Sequence, residues 1–233
     1  MLIENTENIM QLSETTQAVL KNFATIQPNV VLNEGNTIKT IAEAKNVMAV
    51  ATLDQSFEKT VGLYNLDEFL SVVGLVDSPD LAFHDDYVTV SGNGRSQVKY
   101  FYSDLSILTS PAKDIPMPPA EVTFELDEAT LNKVRRAAAS LGHEKMTITA
   151  TEGGINLTVV DSSDTTSNSF VIQVPGVCES DDFTFVVNIS NLKLIAGDYD
   201  VSVSSKLISN FKNKNVDVQY YIALEKSSTY GGQ

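Results

Sequence analysis

Five cations stand at helical spacing in a chain that is otherwise acidic. Lys21, Lys133, Arg135, Arg136 and Lys193 fall in three segments with helix signals, whereas the whole chain sets 16 Lys and Arg against 30 Asp and Glu, a formal charge of -14. Cations on a solvated helix face can hold phosphate or another polyanion, and an acidic remainder would repel the same ligand elsewhere. With residues placed about 100° apart, Lys21 falls opposite the apolar stripe Leu12, Thr16, Val19, Phe23. Arg136 falls opposite Leu131, Val134, Ala138, Leu141. Lys133 and Arg135 flank that second stripe, where a long cation also snorkels or pairs. Ordinary solvation of a helix face gives the same pattern in any one helix; its repetition is what points to binding.

The side chains that carry catalysis are not grouped. His84 and His143 lie far apart in sequence, and neither has metal-ligand spacing around it. Cys178, the single cysteine, stands beside Glu179 with no nearby cation to stabilise a thiolate, and alone it cannot form a disulfide within the chain. Asp85 with Asp86, and Asp181 with Asp182, imitate paired carboxylates but precede strands in turn-like sequence. Gly92 and Gly94 bracket a hairpin turn, with no helix behind them to receive an anion. No enzyme, metal or cofactor is expected.

A repeated order of elements must position the cations. The first helix is predicted over about 13–25 and its counterpart over about 128–140, with capping candidates Ser13 and Asp127 114 residues apart. Between them, strands are expected at 30–32, 37–41 and 47–53, broken by Asn33, Glu34, Gly35 and Asn36 and paired as antiparallel hairpins. Asn65 with Glu68 three positions on, then Leu66, Phe69, Leu70 and Val73, predicts a second helix of about ten residues. It carries Asp67 and Glu68 and no cation, so a basic lining would be uneven. Strands at 81–84, 87–91 and 97–103 complete this half. The second half repeats the order, with strands at 122–126, 146–150, 155–160, 169–174 and 183–187 around the third helix. Gly153 and Gly154 make a turn. A short fourth helix near 190–195 and strands at 199–204, 207–211 and 218–224 follow.

The prolines 111, 116, 118 and 119 mark the joint, because proline continues neither a ladder nor a helix. The expected organisation is an N-terminal extension at 1–11, loose and polar over 1–9, domains at 12–109 and 122–233, and a connector at 110–121. Each half is long enough to bury a core without staples. The start of the chain has no basic segment followed by a long apolar run, and no stretch approaches the roughly 20 apolar residues that span a bilayer. With one cysteine, these features predict a soluble protein of a reducing cytoplasm with no membrane partner. Asn156 and Asn188 begin glycosylation-type triplets that, without a secretion signal, are accidents of composition.

Four segments carry a family resemblance. LSETTQAVLKNFATI at 12–26 resembles the opening of the sliding clamp of T-even-type bacteriophages, the processivity ring of the replicative DNA polymerase. KDIPMPPAEVT at 113–123 is similar to the link between that clamp's two domains, NISNLKLIAGDY at 188–199 to its last helix and following strand, and YYIALE at 220–225 to its closing strand. Residues 54–102 match mainly by pattern.

The resemblance implies an α+β fold of two similar DNA-clamp domains, each with two helices packed on antiparallel sheet. It further implies a homotrimer closed into a ring, helices lining the hole and duplex DNA passing through without sequence-specific grip. Lys21, Lys133, Arg135, Arg136 and Lys193 would face the phosphates, and Lys206, Lys212 and Lys214 would be further contacts or simply solvated. Strand 97–103 would meet strand 169–174 of the next subunit, with Tyr100, Phe101, Tyr102, Phe170 and Ile172 at the contact. The same aromatics would equally pack within their own sheet.

The implied partners are the replicative DNA polymerase and a sigma-like late transcription factor, both docking short hydrophobic C-terminal peptides, and an ATP-driven clamp loader. Their pocket would lie beneath the connector, lined by Ile115, Met117, Tyr221 and Ile222, residues that an interdomain core would use as well. The implied place of action is the cytoplasm of an infected bacterial host. Two other readings stay open: a monomeric or open-dimer processivity factor with the same basic faces but without self-complementary edges, and a structural virion protein that retains no DNA. A hydrolase with surface carboxylates is a poor third.

Overall fold

In the computed structural model, which describes residues 9–93, 96–164 and 166–231, Ser13 caps the first helix. Its Oγ accepts the Thr16 N–H at 3.0 Å and donates to Asp54 Oδ1 at 2.7 Å. One hydroxyl thus satisfies an orphan helix donor and ties the helix start to a strand. The chain divides into two units, residues up to 43 with 50–112, and residues 44–49 with 113 onward.

The first unit contains β1 (Ile9–Met10), α1 (Glu14–Ile26), β2 (Val30–Leu32), β3 (Gly35–Ile41), most of β4 (Val47–Phe57), β5 (Val61–Leu63), α2 (Leu66–Val73), β6 (Asp80–Phe83), β7 (Tyr87–Ser91) and β8 (Gln97–Phe101). Helix α1 buries Val19, Leu20 and Phe23 to 1% exposure or less. Each such side chain contributes about 1.5–3 kcal/mol when removed from water. Helix α2, capped by the Asn65 side chain on the Glu68 N–H, buries Leu66, Phe69 and Val73 and packs against α1. An antiparallel sheet runs in the order β1-β6-β7-β8.

Two expectations change here. Strand β1 pairs Ile9 with Ala82 and Met10 with Leu81, so these two residues belong to a sheet and not to a loose extension. Strand β2 pairs with β5, not with β3 in a hairpin. All three residues of each strand are buried, and a strand apolar on both faces needs a covered slot. Gly62 makes that slot possible, because a Cβ there would lie 2.6 Å from Leu108 Cδ1 and 2.7 Å from the Ser103 carbonyl oxygen. Of the turn expected at 92–94, Gly94 lies outside the described residues, as do positions 1–8 of the expected extension.

The second unit contains β9 (Val122–Leu126), α3 (Glu128–Leu141), β10 (Lys145–Thr151), β11 (Gly154–Val160), β12 (Phe170–Val174), β13 (Gly176–Cys178), β14 (Phe183–Asn188), β15 (Tyr199–Ser204), β16 (Ile208–Asn213), β17 (Val218–Ala223) and β18 (Thr229–Tyr230). Asp127 caps α3 through the Thr130 N–H at 2.6 Å, and Asp198 accepts the Glu128 N–H at 2.9 Å. A carboxylate just before β15 thus anchors the start of α3 as Asp54 of β4 anchors the start of α1, and both favour the positive helix end. One antiparallel sheet runs β12-β11-β10-β14-β18, and β13, β9, β15, β16 and β17 are consecutive neighbours in another. The two-residue turn between β10 and β11 puts Gly153 at φ +80. Gly154 is held free of a side chain by the Val174 carbonyl oxygen, 2.5 Å from where a Cβ would be.

The expected fourth α-helix is a single 3-10 turn, Ile189–Asn191, followed by irregular chain. Leu192 and Leu194 are buried while Lys193 between them is exposed, a spacing of two that suits extended chain better than helix. Side chains also take the backbone groups a helix would need. Arg135 donates to the carbonyls of Leu192 and Leu194, the Tyr199 hydroxyl donates to the Ile195 carbonyl, and the Tyr220 hydroxyl accepts the Ile195 N–H.

Candidate nucleic-acid interface

Burial of the apolar stripes decides which cations face water. On α1, Thr16, Val19, Leu20 and Phe23 turn inward and Lys21 is exposed. On α3, Thr130, Leu131, Val134 and Ala138 turn inward, and Lys133 and Arg136, three residues apart, are exposed on the solvent side. Among the described residues none of these three cations makes an ion pair. Arg136 Nε reaches only the Asn132 carbonyl of its own helix, at 3.4 Å. Lys193 is exposed beyond the 3-10 turn.

Arg135 is a correction. Its guanidinium is half-buried and spends its donors on Leu192 and Leu194, so it holds the segment that carries Lys193 and does not reach outward. Burial lowers its pKa, with the neighbouring Tyr199 and Tyr220 acting in the opposite sense. Burial also pushes the Tyr199 hydroxyl up to about 12, so this cluster stays a neutral phenol beside a cation. Lys214 is a second correction. It bridges Glu125 and Asp200, each at 3.1 Å, and is thereby neutralised as a phosphate contact. Lys212 remains exposed.

The two strands expected to form the subunit contact both end a sheet within the described residues. Strand β8 ends its sheet after β7, and β12 ends its sheet after β11. Of the aromatic trio on and after β8, Phe101 is 66% exposed and lies 5.6 Å from the Tyr87 ring. Tyr100 is a correction: it packs edge-on to Phe69 and donates to the Asn65 carbonyl, inside its own unit. Tyr102 is half-buried with its hydroxyl covered and unpartnered, and burial raises its pKa. On β12, Phe170 and Ile172 are half-buried and Val171, on the opposite face, is 53% exposed. Alternation along the strand explains why the exposed side chain is the one between the two expected contact residues.

A cavity of about 300 Å³ opens in the second unit, lined by Ile115 and Tyr221 among others. Met117 does not reach its wall, and Ile222 is fully buried on the other face of β17. The period of two corrects Ile222, while at Met117 the irregular connector presents its neighbours Pro116 and Pro118 to the cavity instead. The connector is pinned above the β15–β16 turn, where Ser204 Oγ donates to the Pro119 carbonyl at 2.7 Å and the Ser205 hydroxyl and N–H donate to the Glu121 carboxylate at 2.6 and 2.8 Å. Sequence reading missed Lys45, Lys206 and Leu207 in the cavity wall. Their signal was only that of turn residues.

The groups that imitate catalysis are accounted for locally. Asp85 pairs with Lys59 at 2.8 Å, and burial followed by Asp181 raises the Cys178 thiol above its usual range, the opposite of an activated nucleophile. Among the described residues no group of three or more His, Cys, Asp and Glu is placed to hold a metal ion. No helix there is long and apolar enough to cross a membrane.

Helices on antiparallel sheet, arranged twice along the chain, with exposed cations opposite their buried stripes, make this a DNA-clamp fold. The structure of A. fulgidus PCNA bound to the C-terminal region of FEN-1 superposes with a TM-score of 0.70 at 15% identity, covering 95% of this chain and 98% of that one. A family model described as "gp45 sliding clamp, C terminal" matches residues 123–226. The sliding clamp of Escherichia phage RB69 is 31% identical over 228 residues, 95% of this chain and 99% of the relative, and that of Vibrio phage KVP40 is 29% identical over 221 residues, 93% and 99%. The chain belongs to this family of phage sliding clamps. It is a DNA clamp, a replication processivity factor that carries no enzymatic reaction of its own.

Proposed function

We propose that three copies of the chain close into a ring around duplex DNA and tether the replicative DNA polymerase. The observation that carries this reading is the set Lys21, Lys133 and Arg136, exposed and without ion-pair partners among the described residues in a chain of net charge -14. A few screened cations hold a duplex in place without a deep energy well at any position, which suits sliding. Closure supplies residence time. The open edges of β8 and β12 support it, since a head-to-tail contact between them, repeated with threefold rotation, pairs each of these two edges with the next copy.

An ATP-driven clamp loader opens the ring, and the cavity under the connector is the proposed dock for C-terminal peptides of the polymerase and of a sigma-like late transcription factor. Its apolar wall supports this, as does the A. fulgidus PCNA, which binds the C-terminal region of FEN-1. The work would be done in the cytoplasm of an infected bacterial host, in keeping with relatives from bacteriophages.

Two measurements test the reading together. Sedimentation over a wide concentration range should give three times the 25.3 kDa chain mass. After loading, circular DNA should retain the protein and linear DNA should release it. A monomer that binds both forms alike would replace the ring with an open processivity factor, and no retention on either would point to a structural role.

A further inference from the structure

We propose that residues 225–231 guard the edge of β14 against strand addition by a second copy of the chain. The strand itself shows why a guard is needed. Phe183–Asn188 reads FTFVVN, without charge, Gly or Pro and rich in aromatic and β-branched side chains. Segments of that composition add to other chains when their edge is left free. Phe183, Phe185, Val186 and Val187 are already buried, so it is the row of backbone donors and acceptors that still requires cover.

The guard meets that row in step. Backbone groups of alternate residues face the same side of an antiparallel strand, and those at 182, 184 and 186 face the guard. The Val186 carbonyl accepts the Glu225 N–H at 2.8 Å, and the Val186 N–H donates to Ser228 Oγ at 2.9 Å. Thr184 lies opposite Thr229 of β18, and the Asp182 carbonyl accepts the Gly231 N–H at 2.8 Å. The Tyr230 ring lies parallel to that of Phe185, with centroids 6.1 Å apart. What the guard offers in return is a poor template: β18 has two residues, and the exposed Lys226 stands in the turn before it. Short edge strands and a nearby lysine are what keep further strands away.

The position of the guard adds a direction. Its sheet runs β12-β11-β10-β14-β18, so covering β14 leaves β12 as the end that offers a full-length edge. Strand β1 stands in the same relation to β8, at the far end of β1-β6-β7-β8. Gln55 holds that end, accepting the Ser13 N–H and donating to the Gln11 carbonyl, each at 2.7 Å. Both sheets are thus closed by a two-residue strand opposite the end proposed for subunit contact, which keeps association from continuing through the sheet.

The test compares the intact chain with a variant that stops after Glu225, by sedimentation velocity over a wide concentration range, with circular dichroism to follow folding. The intact chain is the reference whatever number of copies it contains, so the outcome does not depend on the ring. The truncated chain should form species larger than any of the intact chain, in amounts that rise with concentration, and these should bind thioflavin T. Thr184→Lys, which puts a charge on the bared edge, should return it to the intact chain's mass. A folded truncated chain that keeps that mass throughout overturns the proposal. Larger species that persist with Thr184→Lys overturn it as well, because they form at another surface. If truncation unfolds the chain, the full-length Ser228→Ala/Tyr230→Ala variant decides, since it removes the contacts to Val186 and Phe185 and keeps the backbone. Larger species suppressed by Thr184→Lys then support the guard, and an unchanged mass refutes it.

Discussion

The guanidinium of Arg135 donates to the carbonyl of Leu192, across 57 residues of sequence. With the second bond to Leu194, it turns one helix-borne cation into a clasp on the loop that carries another, Lys193. The cations of α3 are therefore of two kinds: Lys133 and Arg136 face solvent, while Arg135 holds the loop that carries Lys193.

Replacing Arg135 with Ala should destabilise the chain by about 1.5–3 kcal/mol, the range for hydrogen bonds from a charged group, read as a lower urea midpoint. Lys at this position should recover only part, because an ammonium lacks the planar fork. If Arg135→Ala keeps the wild-type midpoint but weakens DNA binding, the residue is a DNA contact after all.

The double variant Lys21→Ala/Arg136→Ala should leave the oligomer intact and reduce polymerase run length. The plot of log affinity for DNA against log salt should become shallower by about 0.9 for each phosphate no longer neutralised. An unchanged slope would remove these two residues from the DNA face.

Phe101→Asp and Val171→Asp place charge at the open edges of β8 and β12, at side chains that are 66% and 53% exposed within the chain. Each should leave folding unchanged and shift sedimentation toward a single 25.3 kDa chain. Persistence of the oligomer in both would exclude these edges from the subunit contact.

Ile222→Ala and Tyr221→Ala should separate folding from docking. Ile222 is fully buried, so its truncation should cost about 2–5 kcal/mol. Tyr221, half-exposed on the opposite face, should lose peptide affinity with little change in thermal midpoint.

The cap on α3 predicts a pH dependence. Hydrogen bonds from Thr130 hold the Asp127 carboxyl below its usual value of 3.8. Its contribution is therefore complete above that value and fades as pH falls through the lower folded-state pKa. Asp127→Asn should cap nearly as well and lose this dependence, whereas Asp127→Ala should cost about 1 kcal/mol at neutral pH. Acid unfolding curves of identical shape for wild type and Asp127→Asn would count against the assignment.

The helices, most strands and the outward cations were legible in the sequence. Ser13, Asn65 and Asp127 declare their helices by local hydrogen-bond chemistry, and the stripes at Val19 and Phe23 or Leu131 and Val134 need only a period of 3.6 to be placed inward. Both signals act within a few residues. The partnership of β2 with β5, the 3-10 turn at Ile189–Asn191, the withdrawal of Arg135 and the pairing of Lys214 depend on groups remote in sequence. Their free energies compare one distant partner with another, which propensity and periodicity do not encode. So the sequence by itself determined the three capped α-helices and which cations stand opposite the core. Tertiary structure alone decided which of those cations remain available and which residues of β17 and the connector reach the cavity, because hydrogen-bond capture and side-chain direction are settled only when remote segments meet.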